Sequence, residues 1–293
     1  MAALCLLSIF LAACDRGKQA AYSPEYSREH PGNGRVYLFG VHPLHNPQRL
    51  EEVYGPIMGY LNRRMPGAVF RLEASRSYDE FDRKLYGRRF HFALPNPYQT
   101  INSLGHGYRV FGKMGGDAEF RGIILVRKDG GITAAADLRG KTVSFPAPTA
   151  LAATMMPIYL LHTLGLDSGK DYKPLFSGSQ ESSIMNVYLR KSAAGATWPP
   201  PWEAFKQRHP QIAAKLTVRW ETPSLINNGL VVRDDVPSKV TDGVAELLFT
   251  LHDNPEGRGL LTALPLKRFE PASDKSYAPV ADFMKEYRAA VRE

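Results

Sequence analysis

The stretch Arg35-Val36-Tyr37-Leu38-Phe39-Gly40-Val41 is a nearly unbroken apolar run, the signature of a strand buried on both faces. A loop from His42 to Pro47 follows. Leu50, Val53, Tyr54, Ile57, Met58 and Leu61 then recur at helical spacing until Pro66-Gly67 stops them. Strand, loop and amphipathic helix form the repeating unit of an α/β protein, and the unit recurs. Val69 to Glu73 is a second strand, Ser77 is placed to cap a short helix through Leu85, and Arg89 to Leu94 is a third strand broken by Pro95-Asn96-Pro97. Further strands fall at Tyr108 to Gly112, Gly122 to Arg127 and Lys141 to Phe145, with a helical turn at Ala134 to Leu138. Thr149 is placed to cap a helix ending near Leu164. This alternation predicts parallel sheets with helices on both faces, whose ligands sit at the carboxyl ends of the strands. The loops that matter are then His42 to Pro47, Pro95 to Tyr98, Pro146 to Thr149 and Ser177 to Gln180.

Residues 1–14 end in Leu11-Ala12-Ala13-Cys14 after an apolar run too short to span about 30 Å of hydrocarbon. Small residues ahead of a cysteine suit cleavage and lipidation of Cys14, so the segment reads as a lipoprotein signal rather than an ordinary buried thiol. No Lys or Arg precedes the run, which leaves the true start of the signal open. Asp15 after the cysteine suggests retention at the inner membrane, on its periplasmic face. Residues 15–34, polar and rich in Gly, Pro and Ser, read as a flexible tether. The 37 Lys and Arg against 29 Asp and Glu give a net charge of +8, spread along the chain with no aromatic-interleaved cluster. Together with export, that argues against nucleic acid as a partner. Cleavage before Cys14 would remove Cys5, leaving no disulfide and a fold stabilised by its core alone. About 280 mature residues favour two lobes over one growing core.

No Gly-rich phosphate loop, His-Glu-x-x-His, Gly-x-Ser-x-Gly or paired-cysteine site is found, so nothing announces an enzyme or a cofactor. The segment Lys141 to Thr149 aims the free N–H groups of an Ala-rich helix at whatever lies above the sheet, a geometry shared by any strand-to-helix turn. Trp198-Pro199-Pro200-Pro201-Trp202 is the most distinctive internal segment. Its prolines predict extended backbone, with Trp198 either a wall of the cleft or packed with Trp202 beneath an outer helix. His42 and His45 share a loop and His91 precedes the end of the third strand, a pattern open to a transition metal or to plain hydrogen-bonded imidazoles.

From about Arg35 to Lys285 the chain resembles the PhnD-like family of periplasmic phosphate, phosphite and phosphonate binding proteins of ABC importers. The first blocks that carry the resemblance are Phe39-Gly40-Val41, Tyr54-Gly55-Pro56-Ile57-Met58-Gly59-Tyr60-Leu61 and Asn96-Pro97-x-x-Thr100. Ile124-Leu125-Val126-Arg127-Lys128-Asp129-Gly130-Gly131-Ile132 and Asp137-Leu138-Arg139-Gly140-Lys141 come next. Phe176-Ser177-Gly178-Ser179-Gln180-Glu181 and Gly229-Leu230-Val231-Val232-Arg233-Asp234-Asp235-Val236-Pro237 complete the order. The resemblance implies a type II periplasmic-binding-protein fold, two α/β lobes joined by two crossing strands. Lobe I would hold residues 35–122 and 229–293 and lobe II residues 123–228, with crossings near Gly122 to Arg127 and Asn227 to Val232.

The family's ligand residues carry over in part. Its anion loop reads Asp-Pro-Gly-Ser-Thr-Ser-Gly where this chain has Ala147-Pro148-Thr149-Ala150-Leu151-Ala152-Ala153, so Pro148, Thr149 and Ala150 keep the position but three hydroxyls are gone. A family His aligns with Gln180, and the family's Val-Asp-Ala-x-x-(Asp/Asn) strand aligns with Ser192 to Thr197, which puts Thr197 and Trp198 at the cleft. His42, Asn96 and Tyr98 on strand-end loops and Asn227 on the return crossing complete the implied ligand-binding set. The implied function is a non-enzymatic, monomeric, lipid-anchored receptor that hands a small oxyanion-like or polar molecule to an ABC permease. A ligand-sensing partner of a membrane histidine kinase and an enzyme on the same bilobal fold are the alternatives.

Overall fold

The computed structural model describes residues 34–264 and 266–291. The lipidation candidate Cys14, the signal and all of the tether before Gly34 lie outside them. β1 (Arg35–Val41) runs into a loop whose last residue, Asn46, caps α1 (Pro47–Arg64) by accepting the Arg49 N–H at 2.9 Å. The apolar stripe of α1 is buried against β2 (Ala68–Glu73). Ser77 caps α2 (Tyr78–Tyr86), and β3 (Phe92–Leu94) leads to Asn96, which caps α3 (Pro97–Leu104) before β4 (Tyr108–Met114). β3 is shorter than the predicted run because the side chain of His91 accepts the Leu38 N–H at 3.0 Å, where a regular ladder would present a backbone carbonyl.

The chain then enters a second sheet through β5 (Ile123–Arg127), followed by β6 (Thr142–Phe145), α4 (Met156–Thr163) and β7 (Lys173–Phe176). Next come α5 (Gln180–Tyr188), β8 (Ala194–Thr197), α6 (Pro199–Arg208), the short α7 (Pro210–Ala213) and β9 (Leu216–Glu221). The return supplies β10 (Gly229–Arg233), α8 (Ser238–Phe249), α9 (Pro255–Ala263), β11 (Phe269–Pro271) and α10 (Ala278–Ala290).

The strand orders are β11-β4-β10-β3-β1-β2 and β7-β6-β8-β5-β9. Both sheets are mixed, which corrects the expectation of parallel sheets. β1, β2 and β3 are parallel, as are β6, β7 and β8, whereas β10 runs antiparallel to β3 and β4, and β5 antiparallel to β8 and β9. The reversal has a topological cause: β5 and β10 are the first strands after the chain passes from one sheet to the other, and each enters from the cleft side. The two passing segments, 115–122 and 222–228, pair with each other. Thr222 N–H donates to Gly122 O and Leu225 N–H to Phe120 O, both at 2.9 Å, and Asn227 Nδ2 donates to Gly115 O at 3.0 Å.

Two further expectations are corrected. The three prolines do not hold an extended segment: Trp198 is extended at the N-cap position and Pro199–Pro201 form the first turn of α6, where a missing N–H costs nothing. Nor does Thr149 cap its helix. Ala150 occupies that position without a side-chain bond, and Leu151–Met155 form a π-helical turn leading into α4. Pro157, at the second position of α4, has no N–H to give to the preceding turn, and the wider register begins just before it. The largest apolar cluster runs from the first sheet, past Phe120, to Ala150–Ala153 and Trp198 on the second-sheet side. No helix of the described residues is long and apolar enough to cross a membrane.

Candidate ligand site between the two sheets

Asn96 does two jobs. Its Oδ1 accepts the Gln99 N–H (3.1 Å) while Gln99 Oε1 accepts the Asn96 N–H (3.0 Å), a reciprocal cap that fixes the side chain. Its Nδ2 is thereby aimed across the cleft and donates to Thr149 O at 2.8 Å. Gln99 Nε2 donates to Asp82 Oδ1 at 2.6 Å, and burial pushes the Asp82 carboxyl up to about 6.

His42 follows β1 and is buried. Its Nδ1 lies 2.8 Å from Leu94 O, and since a carbonyl only accepts, Nδ1 carries the proton and Nε2 is left as an acceptor. Burial pulls the imidazole down to about 4, so the group is neutral at pH 7. From the other sheet, the Thr197 hydroxyl donates to Gln180 Oε1 at 2.8 Å and turns the amide toward Tyr78, whose oxygen lies 3.5 Å from Gln180 Nε2. Burial raises the Tyr78 phenol to about 12, which keeps it a donor.

These groups surround a void of about 10 Å³, the room of a single water. His42, Tyr78, Asn96 and Gln180 line it, together with Ala150–Ala153 at the start of the π-helical turn. Leu151, Ala152 and Ala153 sit where a helix has no acceptors for its first N–H groups. Phe120 and Trp198, ring centroids 5.5 Å apart, close the void with Asn228. Asn228 Oδ1 is buried with no hydrogen-bond partner.

Beside the void, and sharing Gln180 and Trp198 with it, lies a cavity of about 520 Å³ between α1 and α6. Its apolar lining includes Leu44, Tyr54, Met114, Trp198 and Leu264. One ion pair stands on each side: Arg49–Glu52 at 3.0 Å on α1, and Arg208–Glu181 at 3.0 Å between α6 and α5. His45 lies near both, and burial, aided by the Arg49 and Arg208 charges, holds it down to about 4.

Five of the ten residues expected from sequence line the void: His42, Asn96, Ala150, Gln180 and Trp198. The others line neither cavity. Pro148 is exposed, Tyr98 packs half-buried on the core, Thr149 offers its carbonyl, Thr197 orients Gln180, and Asn227 ties the crossing segments. Trp202 stacks on Phe205 with centroids 5.9 Å apart, so the two tryptophans divide the readings between them: Trp198 faces the cleft and Trp202 packs. The three histidines are not brought together. His91 is engaged by Leu38 and edge-on to Tyr37, and no group of three His, Cys, Asp or Glu among the described residues is arranged for a metal. Tyr78, Phe120 and Asn228 are not among the residues that the sequence singles out. Adjacency to Ser77, a candidate cap, and to Asn227 was the available signal for two of them.

Two sheets joined by two crossing segments, with strand-end loops of both meeting at a cleft, define a type II periplasmic solute-binding protein. Residues 39–277 match the family model described as ABC transporter, phosphonate, periplasmic substrate-binding protein, and the chain belongs to that family. It is 19% identical over 269 residues to the phosphonates-binding periplasmic protein of Escherichia coli K12, covering 88% of this chain and 78% of that one. In structure it is similar to a binding protein component of an ABC phosphonate transporter from Pseudomonas aeruginosa, with a TM-score of 0.81, 16% identity and 88% of each chain covered. It is also similar to PhnD1 from Prochlorococcus marinus in complex with methylphosphonate, with a TM-score of 0.78, 18% identity, and 88% of this chain and 98% of that one covered. The members of this family are substrate-binding proteins, not enzymes, and work in the periplasm with an ABC permease.

Proposed function

We propose that this chain is a lipid-anchored receptor that captures a small polar solute between lobe I (35–122 and 229–293) and lobe II (123–228) and delivers it to a permease. The observation that carries the reading is the convergence of strand-end loops from both sheets on one cleft.

The altered anion loop sets the specificity. Ala150, Leu151 and Ala152 stand where the resemblance leads one to expect hydroxyls, His42 is uncharged, and the void beside them is about 10 Å³. A dianion moved there from water would find too few donors to replace its hydration. Methylphosphonate and phosphate therefore bind weakly or not at all, and Trp198→Ala weakens the physiological solute more than it changes phosphate. Titration calorimetry with methylphosphonate tests this directly: a tight isotherm for the unmodified protein would refute it. Native mass spectrometry of the freshly purified full chain tests the receptor reading itself by looking for a co-purified small molecule. Anchoring rests on Leu11-Ala12-Ala13-Cys14; Cys14→Ser should move the protein out of the membrane fraction or block its processing, and an unmodified Met1 on protein from the native host would end that idea.

A further inference from the structure

The two spaces in the cleft differ in what they can hold. The void at the π-helical turn has the room of one water, and Leu151 and Trp198, both buried, occupy its boundary. The adjoining cavity, about 520 Å³, falls in the range of sites for organic molecules of drug-like size. It is far larger than a phosphate or methylphosphonate needs.

The lining is apolar in the middle and charged at both sides. Tyr54, Met114 and Leu264 come from the first-sheet side and Trp198 from the second, so an apolar body placed between them touches both. Each side carries one cation and one carboxylate, Arg49 with Glu52 and Arg208 with Glu181, and His45 between them is neutral. The rim is therefore balanced. A simple anion would meet a carboxylate beside each arginine, whereas a molecule carrying both signs complements both partners. These pairs are about half exposed, with side-chain exposures of 51% and 49% for Arg49 and Glu52 and of 54% and 45% for Arg208 and Glu181. Pairs of that kind contribute little to stability, so opening them to admit a ligand's charges costs little.

We infer that the ligand of this receptor is a zwitterionic organic solute with an apolar, ring-sized body, seated in the 520 Å³ cavity rather than in the void at the π-helical turn. The body lies against Trp198 and Tyr54, and its charged groups exchange into the Arg49–Glu52 and Arg208–Glu181 pairs. A single molecule then bridges α1 to α5 and α6, which is how occupancy would hold the two sheets together. This assignment rests on the receptor reading and adds the seat and the chemical class of the solute.

Calorimetry on the full chain with probes sharing one body separates the alternatives. Phenylalanine and its α-aminophosphonate analogue carry both charges, phenylacetate only the anion, phenethylamine only the cation, and inorganic phosphate has no body. At least one zwitterion should bind about tenfold or more tighter than either singly charged probe. Ala204→Trp, which fills the cavity from a partly exposed position on α6, should abolish that binding at an unchanged melting temperature, and Arg208→Gln should weaken it about tenfold or more. Equal or tighter binding of phenylacetate, phenethylamine or phosphate would overturn the inference, and so would zwitterion binding that survives Ala204→Trp. Either result would leave the receptor reading intact. If no probe binds, the assigned class is wrong, while the receptor reading is judged separately by the co-purified solute.

Discussion

At pH 7 the imidazole of His42 is neutral because burial outweighs its bond to Leu94 O, and that gives the site a pH signature. The unfolded chain takes up this proton near 6.5 and the folded chain only near 4. Between those values the unfolded state holds more protons, so stability falls as pH drops through the window, on the order of 3 kcal/mol in all for His42. Asp82 acts in the opposite sense. Its folded carboxyl titrates near 6 against 3.8 unfolded, so its contribution is present at low pH and is lost as pH rises from 3.8 to 6. With His45 shifted like His42, two groups oppose one, and the melting temperature should fall between pH 7 and pH 4.5. His42→Gln should show a smaller fall over the same interval; parallel curves would mean that His42 does not take part in the linkage. The position of His42 was legible because a loop after a buried strand faces the ligand end of a sheet. Asn228 was not, because its place beside the void depends on packing between segments more than a hundred residues apart, such as Met114, whose Sδ its Nδ2 approaches at 3.3 Å.

Among elements, the π-helical turn and the crossing segment are built against each other. A Cβ placed on Gly122 would lie 2.4 Å from Ala152 O and 2.7 Å from Pro157 Cγ, so the segment approaches the turn as closely as backbone allows. Neither obstacle is the flexible end of a side chain. Gly122→Ala should therefore force the turn and the crossing apart, costing about 1 to 3 kcal/mol in denaturant unfolding and weakening ligand binding, although Gly122 lines neither cavity. Unchanged stability would show that the turn yields easily and does not depend on this contact. Sequence periodicity shows the helix that follows but not the turn, since the wide register depends on where Pro157 falls relative to a helix start set at Ala150 rather than Thr149. The proline run misled for a related reason. Pro-Pro-Pro favours an extended chain in isolation, but with Trp198, just after β8, already extended at the N-cap, three prolines equally suit a first helical turn.

For the whole molecule the question is which state of a two-lobed clamp these contacts represent. The Asn96 bond to Thr149, the apolar cluster running through to Trp198, and α10 all connect the two sheets. α10 contributes Phe283, whose ring meets Tyr159 of α4 edge-on at 5.4 Å, and the Tyr159 hydroxyl donates to Glu286 at 3.3 Å. Such contacts across the cleft are the features of a shut clamp. The type II fold was legible from the order of strands, helices and family-like blocks, whereas the shut arrangement depends on contacts such as Asn96 to Thr149 that no periodicity encodes. If the lobes open without ligand, small-angle scattering of the ligand-free protein should give a radius of gyration larger than that of this structure, and a saturating solute should return it to that value. Asn96→Ala removes the cross-cleft donor without touching the 520 Å³ cavity, so it should shift the ligand-free protein further toward the open form and raise the solute concentration needed to shut it. Scattering curves that coincide with and without the solute, for both the parent and Asn96→Ala, would show that the two sheets form one rigid body and that capture proceeds without closure.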